Sequence, residues 1–71
     1  MRTLLDIEEG QTVEIKEIKG GPCFKRRLAA VGIFPGSNVR VVKNAPGPII
    51  VEVEKSRFAL GRGMARRIVV R

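Results

Sequence analysis

The sequence predicts a small, mainly β domain in which five short strands form a barrel, with one α-helix between the first two strands. The chain has 71 residues, which is too few for two separate cores. Nine Val and seven Ile dominate its apolar residues, and these β-branched side chains favour strands. Apolar and polar residues alternate in short runs that Gly and Pro interrupt. A barrel is favoured over an open sheet because closure leaves fewer exposed strand edges.

The first strand is expected at residues 12–18, after an entry segment that contains a turn. Apolar and polar residues alternate in this run, which is the period-2 pattern of a half-buried strand. Ile18 is out of phase with Ile15. A bulge near Lys16 or Glu17 would return Ile18 to the inner face of the sheet, so a bulge is predicted there.

A helix is predicted at residues 23–31, after a Gly-Gly-Pro sequence whose proline suits a first helical turn. Phe24, Leu28 and Val31 form one apolar stripe at helical spacing, and we expect all three to contact the core. Gly32 is the expected left-handed residue after the helix, and the isoleucine that follows can pack back on the last turn in a Schellman motif.

The other elements follow from local turn and strand signals, although the tight turn lacks the Gly or Asn usual in a two-residue hairpin loop. They are a type II turn at residues 34–37, a strand at 38–43, a loop at 44–48, a strand at 49–54, a tight turn at Lys55-Ser56, a strand at 57–60, a helical turn within 61–67 and a final strand at 68–70.

The composition argues against an enzyme and against a resident cofactor. There is no histidine, and the single cysteine cannot form an internal disulfide or a mixed Cys-His zinc site. A lysine or a carboxylate could still serve as a catalytic base, but a nucleophilic triad that requires histidine cannot be assembled. The N-terminal carboxylates show no metal-ligand spacing, and Gly61-x-Gly63 lacks the ending of a phosphate-binding loop. A binding or regulatory module is therefore expected.

The net charge of +7 is concentrated after the first strand. Residues 21–51 contain five basic side chains and no acidic one, and three of the five are consecutive in the predicted helix. Cations in the N-terminal half of a helix oppose its dipole, which makes these three residues the better functional candidates, although a solvated polar face is slightly more common than a docking patch. If the final helical turn folds beside this helix, the candidate partner-binding residues are Lys25, Arg26, Arg27, Arg62, Arg66 and Arg67.

The run Arg-Leu-Ala-Ala-Val-Gly-Ile-Phe-Pro-Gly-Ser-Asn-Val at residues 27–39 resembles the signature of the FeoA family, small accessory proteins of bacterial ferrous iron uptake. The similarity extends from residue 5 to residue 71, and Val31 stands where the family often has methionine. The resemblance implies an SH3-like barrel, and it implies ferrous iron or other transition-metal binding at the family level only. The residues expected to have a structural role in the motif are Leu28, Gly32, Ile33, Pro35 and Gly36.

The resemblance also implies a partner, the FeoB membrane permease with its cytosolic GTPase domain, for which the chain would be a regulator or assembly factor. An anionic membrane surface and a second copy of the chain are further candidate partners. We expect a cytoplasmic location, because no signal peptide or membrane span is evident. The inner face of the membrane is a candidate position within that compartment. The alternative is a nucleic-acid-binding barrel. Of the three phenylalanines only Phe34 is out of phase with the predicted core positions, and a single exposed ring makes a poor stacking surface for bases.

Overall fold

The computed structural model describes residues 2–44 and 46–71, which form one antiparallel sheet with three short helical segments. The sheet has six strands in the order β1-β6-β2-β3-β4-β5, which confirms a mainly β domain. The elements are β1 (Arg2–Thr3), a 3-10 helix (Leu4–Asp6), β2 (Thr12–Ile18), α1 (Pro22–Ala30), β3 (Asn38–Lys43), β4 (Ile49–Val53), β5 (Ser56–Leu60), α2 (Arg62–Ala65) and β6 (Ile68–Val70).

The strand that the sequence did not predict is β1. Its two residues pair with the end of β6, with Arg2 opposite Val70. Two residues are too few to show a period of two, so the pattern could not reveal this strand. The predicted loop at residues 44–48 has no helix or strand in its described part, and Ala45 lies outside the described residues.

The bulge predicted in β2 is present. Ile15 lies opposite Val70, but Glu17 lies opposite Val69, so β2 contains one residue more than β6 over this stretch. The extra residue brings both Ile15 and Ile18 to the buried face. The break in the alternating pattern at Ile18 therefore corresponds to an irregularity in the pairing of β2 with β6.

The end of α1 is a Schellman motif, as predicted. The Ile33 N–H donates to the Leu28 carbonyl at 2.9 Å, and the Gly32 N–H donates to the Ala29 carbonyl at 3.0 Å. Gly32 has a φ of +93°, and a Cβ at this position would lie 2.9 Å from Cγ1 of Val53 in β4. The last turn of α1 is thus seated directly on the sheet.

The prediction that Val31 belongs to the core is wrong. The helix ends at Ala30, one residue earlier than predicted, and Val31 is the C-cap residue with a φ of −106°. Leaving the helical conformation turns its side chain off the apolar stripe, and 37% of the residue is exposed. Of the predicted stripe, Leu28 is buried and Phe24 is partly buried against the core.

The predicted type II turn follows the Schellman motif. The Ser37 N–H donates to the Phe34 carbonyl at 3.0 Å, and Gly36 at the third position has a φ of +95°. This turn is bound to β2 by two backbone hydrogen bonds of 2.8 Å, from Ile15 N–H to the Ser37 carbonyl and from Gly36 N–H to the Ile15 carbonyl. The segment after α1 is therefore fixed to the sheet at two further points.

The hairpin between β4 and β5 turns one residue earlier than predicted. Val53 pairs with Ser56, so the two loop residues are Glu54 and Lys55. Glu54 has a φ of +58° and is the one non-glycine residue with positive φ in the described chain. Turn preferences place Gly or Asn at such a position, and for that reason the sequence pattern did not locate the turn.

The core is entirely apolar in the described part of the chain, where no polar or charged side chain is buried. It receives side chains from every strand of the sheet except β1, and from the 3-10 helix and both α-helices. Its largest fully buried members are Leu4, Ile7, Ile15, Ile33, Ile49, Ile68, Val39, Val41 and Val51.

Replacing Gly32 with alanine should lower the free energy of unfolding by about 2–4 kcal/mol, because a left-handed alanine costs about 1–2 kcal/mol and crowding against Val53 adds to it. Gly36→Ala is the matched control: its φ is +95°, but a Cβ there meets nothing within 4 Å. Denaturant unfolding of both variants measures the difference. Equal losses would contradict the steric contact with Val53.

Replacing Glu54 with glycine should stabilise the protein by about 0.5–1 kcal/mol, since relief of the left-handed conformation exceeds the entropy cost of glycine. Lys55→Gly, at the other loop position, has no positive φ to relieve and should destabilise. Thermal unfolding of the two variants checks the sign of each change, and stabilisation by Lys55→Gly alone would show that the turn is placed wrongly.

Candidate partner-binding site

The middle of α1 presents a run of free cations. Pro22 occupies the first turn, where its missing N–H leaves no internal hydrogen bond unmade. Phe24 and Leu28 face the core, which leaves Lys25, Arg26 and Arg27 exposed. The ion pairs among residues 2–44 and 46–71 join Arg40 and Arg57 to Glu52, and Arg71 to Glu14, and none includes these three cations.

Arg67 lies beside α1. Its guanidinium carbon is 5.4 Å from the centroid of the Phe24 ring, a distance within the range of a cation–π contact. Its carbonyl accepts a hydrogen bond of 2.8 Å from the N–H of Lys19, just before the helix. Arg66, the C-cap residue of α2, is exposed next to it. We call Lys25, Arg26, Arg27, Arg66 and Arg67 the basic surface.

Arg62, the sixth predicted binding residue, is engaged elsewhere. Its guanidinium donates hydrogen bonds to the carbonyls of Asn44 and Gly47, the latter at 3.1 Å. The Asn44 side chain donates in turn to the carbonyls of Leu5 at 3.1 Å and Ile7 at 2.6 Å. Arg62 therefore joins α2 to the loop after β3 and stabilises the fold at that point.

The residues around the end of α1 line a groove of mixed apolar and polar character that the sequence did not reveal. Phe34 is 46% exposed, and with Val31 it forms one wall of a cavity of about 740 Å³. The β4–β5 hairpin forms the opposite wall. The groove is lined by Ala30, Val31, Gly32, Phe34, Ser37, Asn38, Val53, Glu54, Ser56 and Phe58. The one indication of this groove in the sequence is Phe34, an aromatic residue that is out of phase with the predicted core positions.

A second, smaller cavity of about 240 Å³ lies on the other side of Phe34. Lys16, Glu17 and Lys25 contribute to its lining, so it lies between the β2 bulge and α1. Lys16 was not a predicted binding residue. Lys16 lies beside Lys25 because of the bulge in β2 and the path of α1. A sequence pattern cannot show which side chains these two features bring together.

The described residues offer no evident metal centre. No group of three or more His, Cys, Asp or Glu side chains lies close enough to hold a metal ion in residues 2–44 and 46–71. Cys23 is exposed and reduced at the start of α1.

The family model of the FeoA domain matches residues 2–71 of the chain. The chain belongs to the FeoA family. A relative from Methanocaldococcus jannaschii, described as a candidate Fe(2+) transport protein A, is 39% identical over 70 residues, which cover 99% of this chain and 85% of the relative.

Solved FeoA structures share the fold. The crystal structure of an iron uptake regulatory protein FeoA has a TM-score of 0.87 and 36% identity, over 96% of this chain and 92% of that chain. FeoA of Stenotrophomonas maltophilia, complexed with zinc, has a TM-score of 0.85 and 28% identity over 100% and 91%. It is described as an SH3 domain protein and a candidate activating factor for ferrous iron transport. The SH3-like fold expected for this FeoA chain is thereby confirmed.

No helix in the described part of this FeoA chain has the length and apolar character needed to cross a bilayer.

Arg62→Gln should lower the free energy of unfolding by about 0.5–1.5 kcal/mol, because the carbonyls of Asn44 and Gly47 lose a charged donor. Arg66→Gln removes the same charge from an exposed neighbour and should change stability by less than about 0.5 kcal/mol. Urea unfolding of the two variants distinguishes them. Equal stability would show that Arg62 does not fasten the loop.

Proposed function

We propose that this FeoA chain is a cytosolic, non-enzymatic accessory of ferrous iron uptake that binds the cytosolic GTPase domain of a FeoB permease through its basic surface. The observation that carries the proposal is the set of free cations on α1, with Arg67 beside them. Membership of the FeoA family supports a role in ferrous iron uptake, and the positive charge supports electrostatic binding to an acidic partner.

The three cations on α1 are adjacent in sequence and repel one another. The helix dipole adds little to this repulsion, because Lys25 and Arg26 are the fourth and fifth of nine helical residues and Arg27 lies in the last turn. No described carboxylate offsets them in an ion pair. An acidic face on a partner would relieve this repulsion and speed encounter by electrostatic steering, which supports a docking role for this surface.

Iron passes through the permease in this proposal and not through the FeoA chain. The chain has no histidine, and its described carboxylates and thiol form no cluster with a metal-binding arrangement. The same composition supports a regulatory role over catalysis. The basic surface also suits a location at the inner membrane face, where anionic headgroups surround the permease.

Nucleic acid fits the surface less well. Two of the three phenylalanines, Phe24 and Phe58, are partly buried against the core, so Phe34 is the single well-exposed ring. Binding to single strands usually uses several stacked aromatic rings along a basic groove. A gel shift with DNA and RNA at physiological salt tests this alternative.

Arg26→Glu/Arg27→Glu should weaken binding to the FeoB GTPase domain by at least about tenfold at low salt, since two attractive charges become repulsive. The matched control is Arg2→Glu/Lys43→Glu, which reverses two exposed cations that lie outside α1, in β1 and at the end of β3. Each double variant lowers the net charge from +7 to +3.

Titration calorimetry or surface binding measures the affinity of both variants and of the wild type at two salt concentrations. The proposal requires a larger loss for the α1 variant than for the control. Equal losses would show that only net charge matters, and an unchanged affinity of the α1 variant would exclude the basic surface as the docking site.

A further inference from the structure

The outer edge of β5 is unpaired in the described chain. β5 pairs with β4 alone, at one end of the sheet order. In a two-residue hairpin the pair that closes the turn, here Val53 and Ser56, is hydrogen-bonded, and the bonded pairs then alternate along the strands. Phe58 therefore bonds to β4, whereas the backbone N–H and C=O groups of Arg57 and Ala59 point away from β4 towards the free edge.

The free edge borders the groove at the end of α1. Ser56 and Phe58 lie two residues apart on one face of β5, and both line the groove. Val31 and Phe34 lie on its opposite wall and are the two exposed large apolar residues of the described chain. An extended segment added to β5 would thus gain backbone hydrogen bonds at the edge and place alternate side chains in the groove.

We propose that the segment is β5 of a second copy, so that the FeoA chain forms a two-fold symmetric dimer by antiparallel β5–β5 pairing centred on Phe58. Arg57 of each copy then lies opposite Ala59 of the other, and these two pairs exchange four backbone hydrogen bonds. The two Phe58 residues form the non-hydrogen-bonded pair, in which side chains approach most closely. The two phenyl rings lie side by side where the grooves of the two copies meet.

The sequence of β5 is self-complementary in this register. All five residues of the strand are paired, and Arg57 faces Ala59 instead of a second Arg57, which avoids a like-charge pair.

Net charge opposes this dimer, because each copy carries +7. Salt screens repulsion between exposed charges beyond about 8 Å at physiological ionic strength. Association through the β5 edge should therefore strengthen as salt rises. Binding through the basic surface to an acidic partner should weaken over the same range, so the two interactions respond to salt in opposite directions.

Disulfide trapping tests the register. In a Cys23→Ser background, Arg57→Cys and Ala59→Cys proteins are prepared separately and then mixed under mild oxidation. Opposite Cα atoms in the proposed pairs are about 5.5 Å apart, within disulfide range, whereas like residues are diagonal neighbours at about 7–8 Å. The mixture should form a heterodimeric disulfide in clear excess over the homodimers that either protein forms alone. Equal yields would overturn the proposed register.

Sedimentation equilibrium from micromolar to millimolar concentration tests the edge itself. Ala59→Pro removes one N–H per copy that β4 does not use, and it should weaken dimerisation by about tenfold or more through the loss of two hydrogen bonds. Ala59→Val retains the N–H and is the matched control, with circular dichroism confirming that both variants fold. Dimerisation that is unaffected by Ala59→Pro would overturn the proposal.

A monomeric wild type at every concentration and salt would likewise overturn it. If that monomer binds the permease's GTPase domain and Ala59→Pro weakens this binding, the β5 edge receives a strand of the permease and not a second copy. The basic-surface variants of the preceding proposal keep the β5 sequence intact, so failure of one proposal can be told from failure of the other.

Discussion

The architecture of this domain depends on the close approach of Gly32 to Val53. The end of α1 rests on β4 at a distance that leaves no room for a Cβ, and the Schellman hydrogen bonds fix the direction in which the chain leaves the helix. Two further bonds between the type II turn and Ile15 hold the next residues on β2. Together these contacts set the angle of α1 against the sheet, and every exposed feature near the helix takes its position from that angle.

The helix consequently separates two surfaces of different character. Its middle carries Lys25, Arg26 and Arg27 of the basic surface, joined to the segment after α2 through Arg67 and Phe24. Its C-terminal end borders the groove, whose far wall is the β4–β5 hairpin. One element of nine residues thereby presents positive charge on one side and borders the groove on another. A protein of this size can then contact two partners without a second domain.

Local patterns were sufficient to predict most of the fold. The period of two located the strands, the phase of Ile18 located the bulge, and Gly32 located the end of the helix. The pattern was insufficient where the chain departs from local preference, as at Glu54, or where an element is too short to show a period, as at β1. It also could not assign Arg62 and Arg67 to different surroundings, because their contacts join residues far apart in sequence.

The apolar character of the core in residues 2–44 and 46–71 has a consequence for how far such sequences can diverge. A buried polar network would require particular partners at particular positions, whereas Val and Ile side chains can be exchanged if total volume is kept. The specific geometry resides instead in a few backbone turns, where positive φ angles and close approaches leave little choice of residue. A physical basis thus exists for the relation to the Stenotrophomonas maltophilia protein, in which 28% identity accompanies a TM-score of 0.85. Drift in the interior is tolerated, and the turns preserve the shape.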